Sequence, residues 1–107
     1  MVKTVSAQEL KQLKVMGVAY TLIDVREPHE AEIATLNGKL IPLGQISENL
    51  KDFDVEANKV IVYCRSGKRS EQAIRQIEKE TGQKNLYNLE GGILEWADKI
   101  DNSITKY

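Results

Sequence analysis

The 107-residue chain contains a single cysteine, Cys64, and a single histidine, His29. One thiol cannot form an intramolecular disulfide, and one Cys with one His cannot supply the four ligands of a structural zinc site. The fold must therefore be held by its core. Proline is nearly as scarce, with only Pro28 and Pro42, both at local turns. No internal repeat, low-complexity tract or Pro/Gly/Ser-rich linker divides the chain. Two cores would each be left with ~50 residues, the lower end of self-supporting domain size, so one domain spanning residues 1–107 is expected. An excess of charge is also absent: 15 Lys and Arg against 16 Asp and Glu leave a net charge of -1. No overall basic field exists to hold nucleic acid or anionic lipid. Long apolar runs are missing too. Apart from glycine the longest is Val60 to Cys64, far below the ~20 residues of a membrane helix, and Met1 to Leu10 has no signal-peptide core. These absences predict a soluble, cytoplasmic domain with a reduced thiol, no metal or cofactor, and neither membrane nor nucleic acid as a partner.

What the chain does contain is an alternation of helix and strand signals. Ser6-Ala7-Gln8-Glu9 reads as a capping box with Val5 and Leu10 as its hydrophobic staple, and predicts a helix from about Ala7 to Val15 that Gly17 stops. Tyr20 to Val25 is β-branched and aromatic, too short for a helix, and reads as a buried strand with Asp24 at its C-terminal end. Glu27 to Leu36 reads as a short helix opened by Pro28, Leu40 to Leu43 as a brief strand, and the region around Gln45 to Leu50 as helical. Lys59 to Tyr63 is the clearest strand, continuously apolar after its first residue, as expected where helices cover both faces of a sheet. Ala73, Ile74 and Ile77 recur at helical spacing and predict an amphipathic helix over about Lys68 to Thr81, capped by Gly82. Asn85 to Leu89 reads as a last strand and Ile93 to Ile100 as a last helix. Such alternation implies right-handed crossovers and a mainly parallel sheet, the plan of a three-layer α/β domain.

Cys64 directly follows the clearest strand. In open parallel sheets ligands sit outside the carboxyl ends of strands, where helix N-termini present unpaired N–H groups and the positive end of the helix dipole. Cys64-Arg65-Ser66-Gly67-Lys68-Arg69-Ser70 places three cations and one glycine before the helix is established, and reads as an anion cradle built around a thiol. Gly67 permits the positive φ that curls successive N–H groups toward one point, and Ser66 and Ser70 can donate hydroxyl hydrogen bonds to a thiolate or oxyanion. Helix N-termini and neighbouring cations favour the thiolate, the nucleophilic form of cysteine. Cations at a helix N-terminus oppose the dipole, at ~0.3–1 kcal/mol each, and an anionic ligand offsets that.

Three blocks carry a family resemblance: Leu22-Ile23-Asp24-Val25-Arg26-Glu27, the loop Cys64 to Ser70, and Leu89-Glu90-Gly91-Gly92-Ile93-Leu94-Glu95-Trp96. Together, and in this order, they resemble a single-domain rhodanese, a sulfurtransferase module, over nearly the whole chain. The resemblance implies a five-stranded, mainly parallel sheet flanked by helices and a loop cysteine that carries sulfur as a persulfide. By that carry-over Cys64 accepts sulfane sulfur, N–H groups from Arg65 to Arg69, including those of Ser66, Gly67 and Lys68, surround it, and Arg65 and Lys68 attract an anionic donor. Arg69 matches the family's frequent arginine at the loop end. The segment Ala34-Thr35-Leu36-Asn37-Gly38-Lys39 departs from the family's usual Gly-His-Ile-Pro-Gly-Ala, and it bears on the site rim.

The mechanism expected from these residues has two displacements. The Cys64 thiolate takes the outer sulfur of thiosulfate, a polysulfide or a persulfide, and an acceptor such as cyanide or a protein thiol then removes it. Asp24 and Arg26 read as a structural ion pair bracing the loop, with Ser70 as a further support. Trp96 reads as a packing anchor, His29 as an exposed loop residue, and Gly91-Gly92 as a point of close chain approach. Two other readings stand beside this one. A sulfur-relay module would use the same persulfide but dock a partner protein. A cysteine phosphatase or arsenate reductase shares a Cys-to-Arg anion loop, but its loops resemble Cys, five residues, then Arg, whereas four residues separate Cys64 from Arg69. A disulfide relay would also need a second cysteine.

Overall fold

A computed structural model describes residues 1–54, 56 and 58–107 of the chain. Its framework is a five-stranded sheet, all parallel, built from β1 (Thr4–Val5), β2 (Tyr20–Asp24), β3 (Lys39–Leu40), β4 (Lys59–Tyr63) and β5 (Leu86–Leu89) in the order β1-β5-β4-β2-β3. Between them run α1 (Ala7–Val15), α2 (Pro28–Ile33) and α3 (Lys68–Thr81), and α4 (Gly92–Lys99) follows β5. The longest apolar strand takes the centre, because only a central strand has helices over both faces. Side chains alternate along β4: Val60 and Val62 join one core with Ala73, Ile74 and Ile77 of α3, and Cys64 continues that row. Ile61 and Tyr63 join the other, with Leu10 of α1 and Ile93 and Trp96 of α4. Helix, sheet and helix thus form the three layers expected of the rhodanese-like α/β plan.

Local chemistry sets the ends of the elements. Ser6 Oγ accepts from the Glu9 N–H at 3.0 Å while the Glu9 carboxylate accepts from the Ser6 N–H at 2.9 Å, which completes the capping box of α1. Val5 and Leu10 are both buried in one cluster. Gly82 closes α3 in the left-handed conformation that glycine adopts without penalty, at φ 73°. Three differences from the sequence reading have physical causes. β1 has only two residues and no periodicity to read; its pairing with β5, Thr4 to Asn88 and Val5 to Leu89, makes it a strand. α2 stops at Ile33 rather than Leu36 because Ala34 is extended and its carbonyl turns to accept from Arg26 at 2.8 Å. The segment around Gln45 to Leu50 forms 3-10 turns, Leu43–Glu48 and Leu50–Asp52, the first opened by the Gln45 N–H donating to the Pro42 carbonyl at 2.8 Å.

The register fixes where chemistry can occur. Asp24 on β2 stands opposite Tyr63 on β4, so the residues after each, Val25-Arg26 and Cys64-Arg65, leave the sheet at the same carboxyl edge.

Candidate active site

Cys64 lies where β4 ends and α3 is about to begin. Gly67, the N-cap of α3, has φ 103° and turns the chain back over the thiol. The sulfur accepts from the Gly67 N–H at 3.1 Å and the Ser70 N–H at 3.4 Å, with the Ser70 hydroxyl also 3.4 Å away. Two N–H dipoles and a helix N-terminus converge on one atom, an arrangement that stabilises negative charge there. Cys64 is 1% exposed, so a reacting group must enter the loop rather than meet the thiol on an open surface. Ser66 is exposed and its hydroxyl makes no hydrogen bond among the described residues, so of the two serines only Ser70 reaches the sulfur.

Two neighbouring elements hold this loop. Asn88 on β5 donates from Nδ2 to the Gly67 carbonyl at 3.0 Å and accepts the Ser70 hydroxyl at 2.5 Å. The Ser70 hydroxyl has one proton, and its nearest acceptor is the Asn88 carboxamide oxygen, ahead of the Gly67 carbonyl at 3.2 Å and Cys64 at 3.4 Å. From the other side, the Ile93 N–H donates to the Cys64 carbonyl at 3.0 Å and the Leu94 N–H to that of Arg65 at 3.2 Å. This approach requires Gly92: a Cβ there would stand 2.4 Å from the Arg65 carbonyl oxygen, and φ is 62°. The glycine pair is thus a point of close chain contact, and Trp96 packs in the core beneath it.

Around the loop lies a rim of charge that is largely paired. Arg69 forks onto the Glu30 carboxylate at 2.6 and 2.8 Å. That hydrogen-bonded guanidinium, against the opposing effect of burial, holds the Glu30 carboxyl down at about 2. Asp24 and Arg26 form a buried pair at 2.7 Å, with further bonds from Arg26 to the Ala34 carbonyl and the Tyr107 hydroxyl, both at 2.8 Å. Burial opposes the Arg26 charge, but the hydrogen bonds to Asp24 and Tyr107 outweigh it and raise its pKa. This pair braces α2 and the chain after it, and Tyr107 and Glu30 link it onward to Arg65 and Arg69 of the Cys64 loop. Arg65 donates to the main-chain oxygen of Tyr107. Lys68 is exposed and has no ionic partner among the described residues. His29 is exposed on α2, away from the sulfur's contacts.

A family description, the rhodanese-like domain, matches residues 6–99. The chain belongs to this family. The human single-domain sulfurtransferase TSTD1 superposes with a TM-score of 0.77 at 29% identity, covering 92% of this chain and 98% of that one. A rhodanese-like domain protein of Staphylococcus aureus gives a TM-score of 0.80 at 26% identity and 99% coverage of both chains. Among curated sequences, the chloroplastic rhodanese-like/PpiC domain-containing protein 12 of Arabidopsis thaliana is 41% identical over 90 residues, 80% of this chain and 30% of that protein. This rhodanese-like chain spans 64%, 30% and 27% of the length of three curated relatives it matches. Sulfurtransferases are therefore among its relatives, and a role in sulfur transfer is supported at the level of the family.

Three residues of the rhodanese-like site escaped the sequence reading. Asn88 left a signal, a strand-depleted residue in the otherwise apolar Leu86-Tyr87-Asn88-Leu89. Glu30 and Tyr107 left none, since a lone Glu on a short helix and a Tyr 77 positions away share nothing local.

Proposed function

We propose that this rhodanese-like domain moves sulfane sulfur through a persulfide on Cys64. The observation that carries the reading is the sulfur itself, seated at the end of the central strand with the N–H groups of Gly67 and Ser70 aimed at it. Charge on sulfur is favoured there, and the thiolate is the nucleophile. In the first displacement the Cys64 thiolate attacks the outer sulfur of thiosulfate; a Cys–S–S bond forms, the sulfur–sulfur bond of the donor breaks, and sulfite leaves with the electron pair. In the second, cyanide or an external thiolate attacks the outer sulfur, forms thiocyanate or a new persulfide, and returns Cys64 to thiolate. No general base is needed, because no proton moves in either step. The chain has no second cysteine, so the sulfur must pass to an external acceptor, a protein thiol being the reading that suits a reducing compartment such as the cytoplasm.

Intact mass after incubation with thiosulfate tests this. A gain of one sulfur atom, lost on adding cyanide and absent from Cys64→Ala, is expected. No adduct from thiosulfate or polysulfide would overturn it in favour of an anion-binding or structural domain. Hydrolysis of p-nitrophenyl phosphate that Cys64→Ser abolishes, without sulfur uptake, would instead indicate a phosphatase.

A further inference from the structure

The segment after α4 returns to the rim of the Cys64 loop, and Tyr107 touches both of its sides. On one side Arg65 donates from Nε, at 2.6 Å, and from Nη2 to the Tyr107 main-chain oxygen, with its guanidinium 5.2 Å from the ring centre. On the other, the Tyr107 hydroxyl accepts from Arg26 at 2.8 Å and donates to Glu30 at 2.9 Å. Arg26 and Glu30 are both buried, so the hydroxyl has a fixed seat, and Glu30 in turn holds Arg69. Tyr107 therefore reaches Arg65 directly and Arg69 through Glu30, near the start and the helical end of Cys64–Ser70. Ile104 packs against the core and Lys106 pairs with Asp98 at 3.0 Å, which ties the segment down on the way.

A guanidinium presents its donors as a planar fork suited to oxyanions. The Nε and Nη2 edge of Arg65, the pair of donors a sulfonate or carboxylate would take, is already on an oxygen. We propose that Tyr107 is a specificity-determining residue of this site: it occupies Arg65 and so weakens the capture of small oxyanions, thiosulfate among them. The sulfur-transfer reading supplies the significance of that capture. An oxyanion that uses Arg65 has to displace the Tyr107 oxygen and unstack the ring, while a neutral reactant bears no such penalty. Lys68, the rim cation without an ionic partner among the described residues, remains for anions in the parent protein.

Two alkylating reagents of similar size, anionic iodoacetate and neutral iodoacetamide, read anion capture at Cys64 without any sulfur chemistry. In the full chain, Tyr107→Ala should raise the iodoacetate-to-iodoacetamide rate ratio about threefold to fivefold, the scale of one surface charge pair. Adding Arg65→Gln to that background should return the ratio to the parent value, while Arg65→Gln alone should leave it unchanged. Both substitutions keep the main-chain oxygen; Tyr107→Ala loses the ring and the hydroxyl that hold it on Arg65, whereas Tyr107→Phe loses only the hydroxyl's anchors and should fall between parent and Tyr107→Ala. A ratio unmoved by Tyr107→Ala, or lowered equally by Arg65→Gln with and without Tyr107, overturns the proposal. Tyr107→Ala should also lower KM for thiosulfate by a similar factor. If thiosulfate loads no sulfur on any variant while the ratio behaves as expected, the sulfur-transfer reading fails and the control of Arg65 by Tyr107 stands.

Discussion

Around the thiol, single atoms decide what the loop can do. Gly92 lies so close to the Cys64 and Arg65 carbonyls that no side chain fits, and its φ of 62° is strained for any other residue. Gly92→Ala should therefore destabilise the fold by ~1–3 kcal/mol and displace the loop, read as a lower urea midpoint together with altered Cys64 alkylation. Asn88 is the other pivot. Truncation by Asn88→Ala removes one hydrogen bond from the Gly67 carbonyl and one from the Ser70 hydroxyl, which still bond to each other at 3.2 Å, and should cost ~0.5–1.5 kcal/mol for each bond lost. It also releases the Ser70 hydroxyl 3.4 Å from the sulfur, so Asn88→Ala should change the rate at which iodoacetamide alkylates Cys64, and a rate equal to the parent's would show that Asn88 does not position the loop. Cys64, Gly67 and Ser70 were legible in the sequence because their roles are set within one turn of chain. Asn88 was visible only as an oddity, since its partner lies 18 residues back and meets it through the β4–β5 pairing.

Between elements, α2 and α3 are joined by the Glu30–Arg69 pair. A carboxylate held at about 2, below its ordinary 4.5, contributes stability that is complete above pH 4.5 and is lost as the pH falls toward 2. The loss should be ~1–3 kcal/mol, discounted because Arg69 is about one-third exposed. Unfolding measured from pH 6 to pH 2.5 should show it, and the decline should flatten in Glu30→Gln. The α1 capping box is by contrast local, and Ser6→Ala should cost ~0.5–2 kcal/mol, read as a lower urea midpoint. The two cases divide by range. Ser6 and Glu9 are three positions apart and could be read from spacing, whereas Glu30 and Arg69 are 39 apart and meet only because β2 and β4 are neighbours.

At the scale of the whole molecule, both faces of the sheet are covered and Phe53, Ile61 and Ile77 are fully buried in two cores that share β4. Because β4 contributes to both, the layers should unfold together: Phe53→Ala is expected to cost ~3–5 kcal/mol and to shift far- and near-ultraviolet transitions by the same amount. Non-coincident transitions would show instead that the two faces are independent units. The sequence by itself determined the alternation of strands and helices, the amphipathic face of α3, the capping box and the Cys64 loop at a strand end. Each of these is written in neighbouring residues, through periodicity, turn chemistry and helix-end signals. Only the tertiary structure decided that β1 is a strand, that Asn88 bonds Ser70, and that Arg69 and Arg65 are engaged by Glu30 and Tyr107 while Lys68 has no ionic partner among the described residues. A charged side chain is committed by whichever partner the topology brings within reach, and that choice is made between residues far apart in the chain.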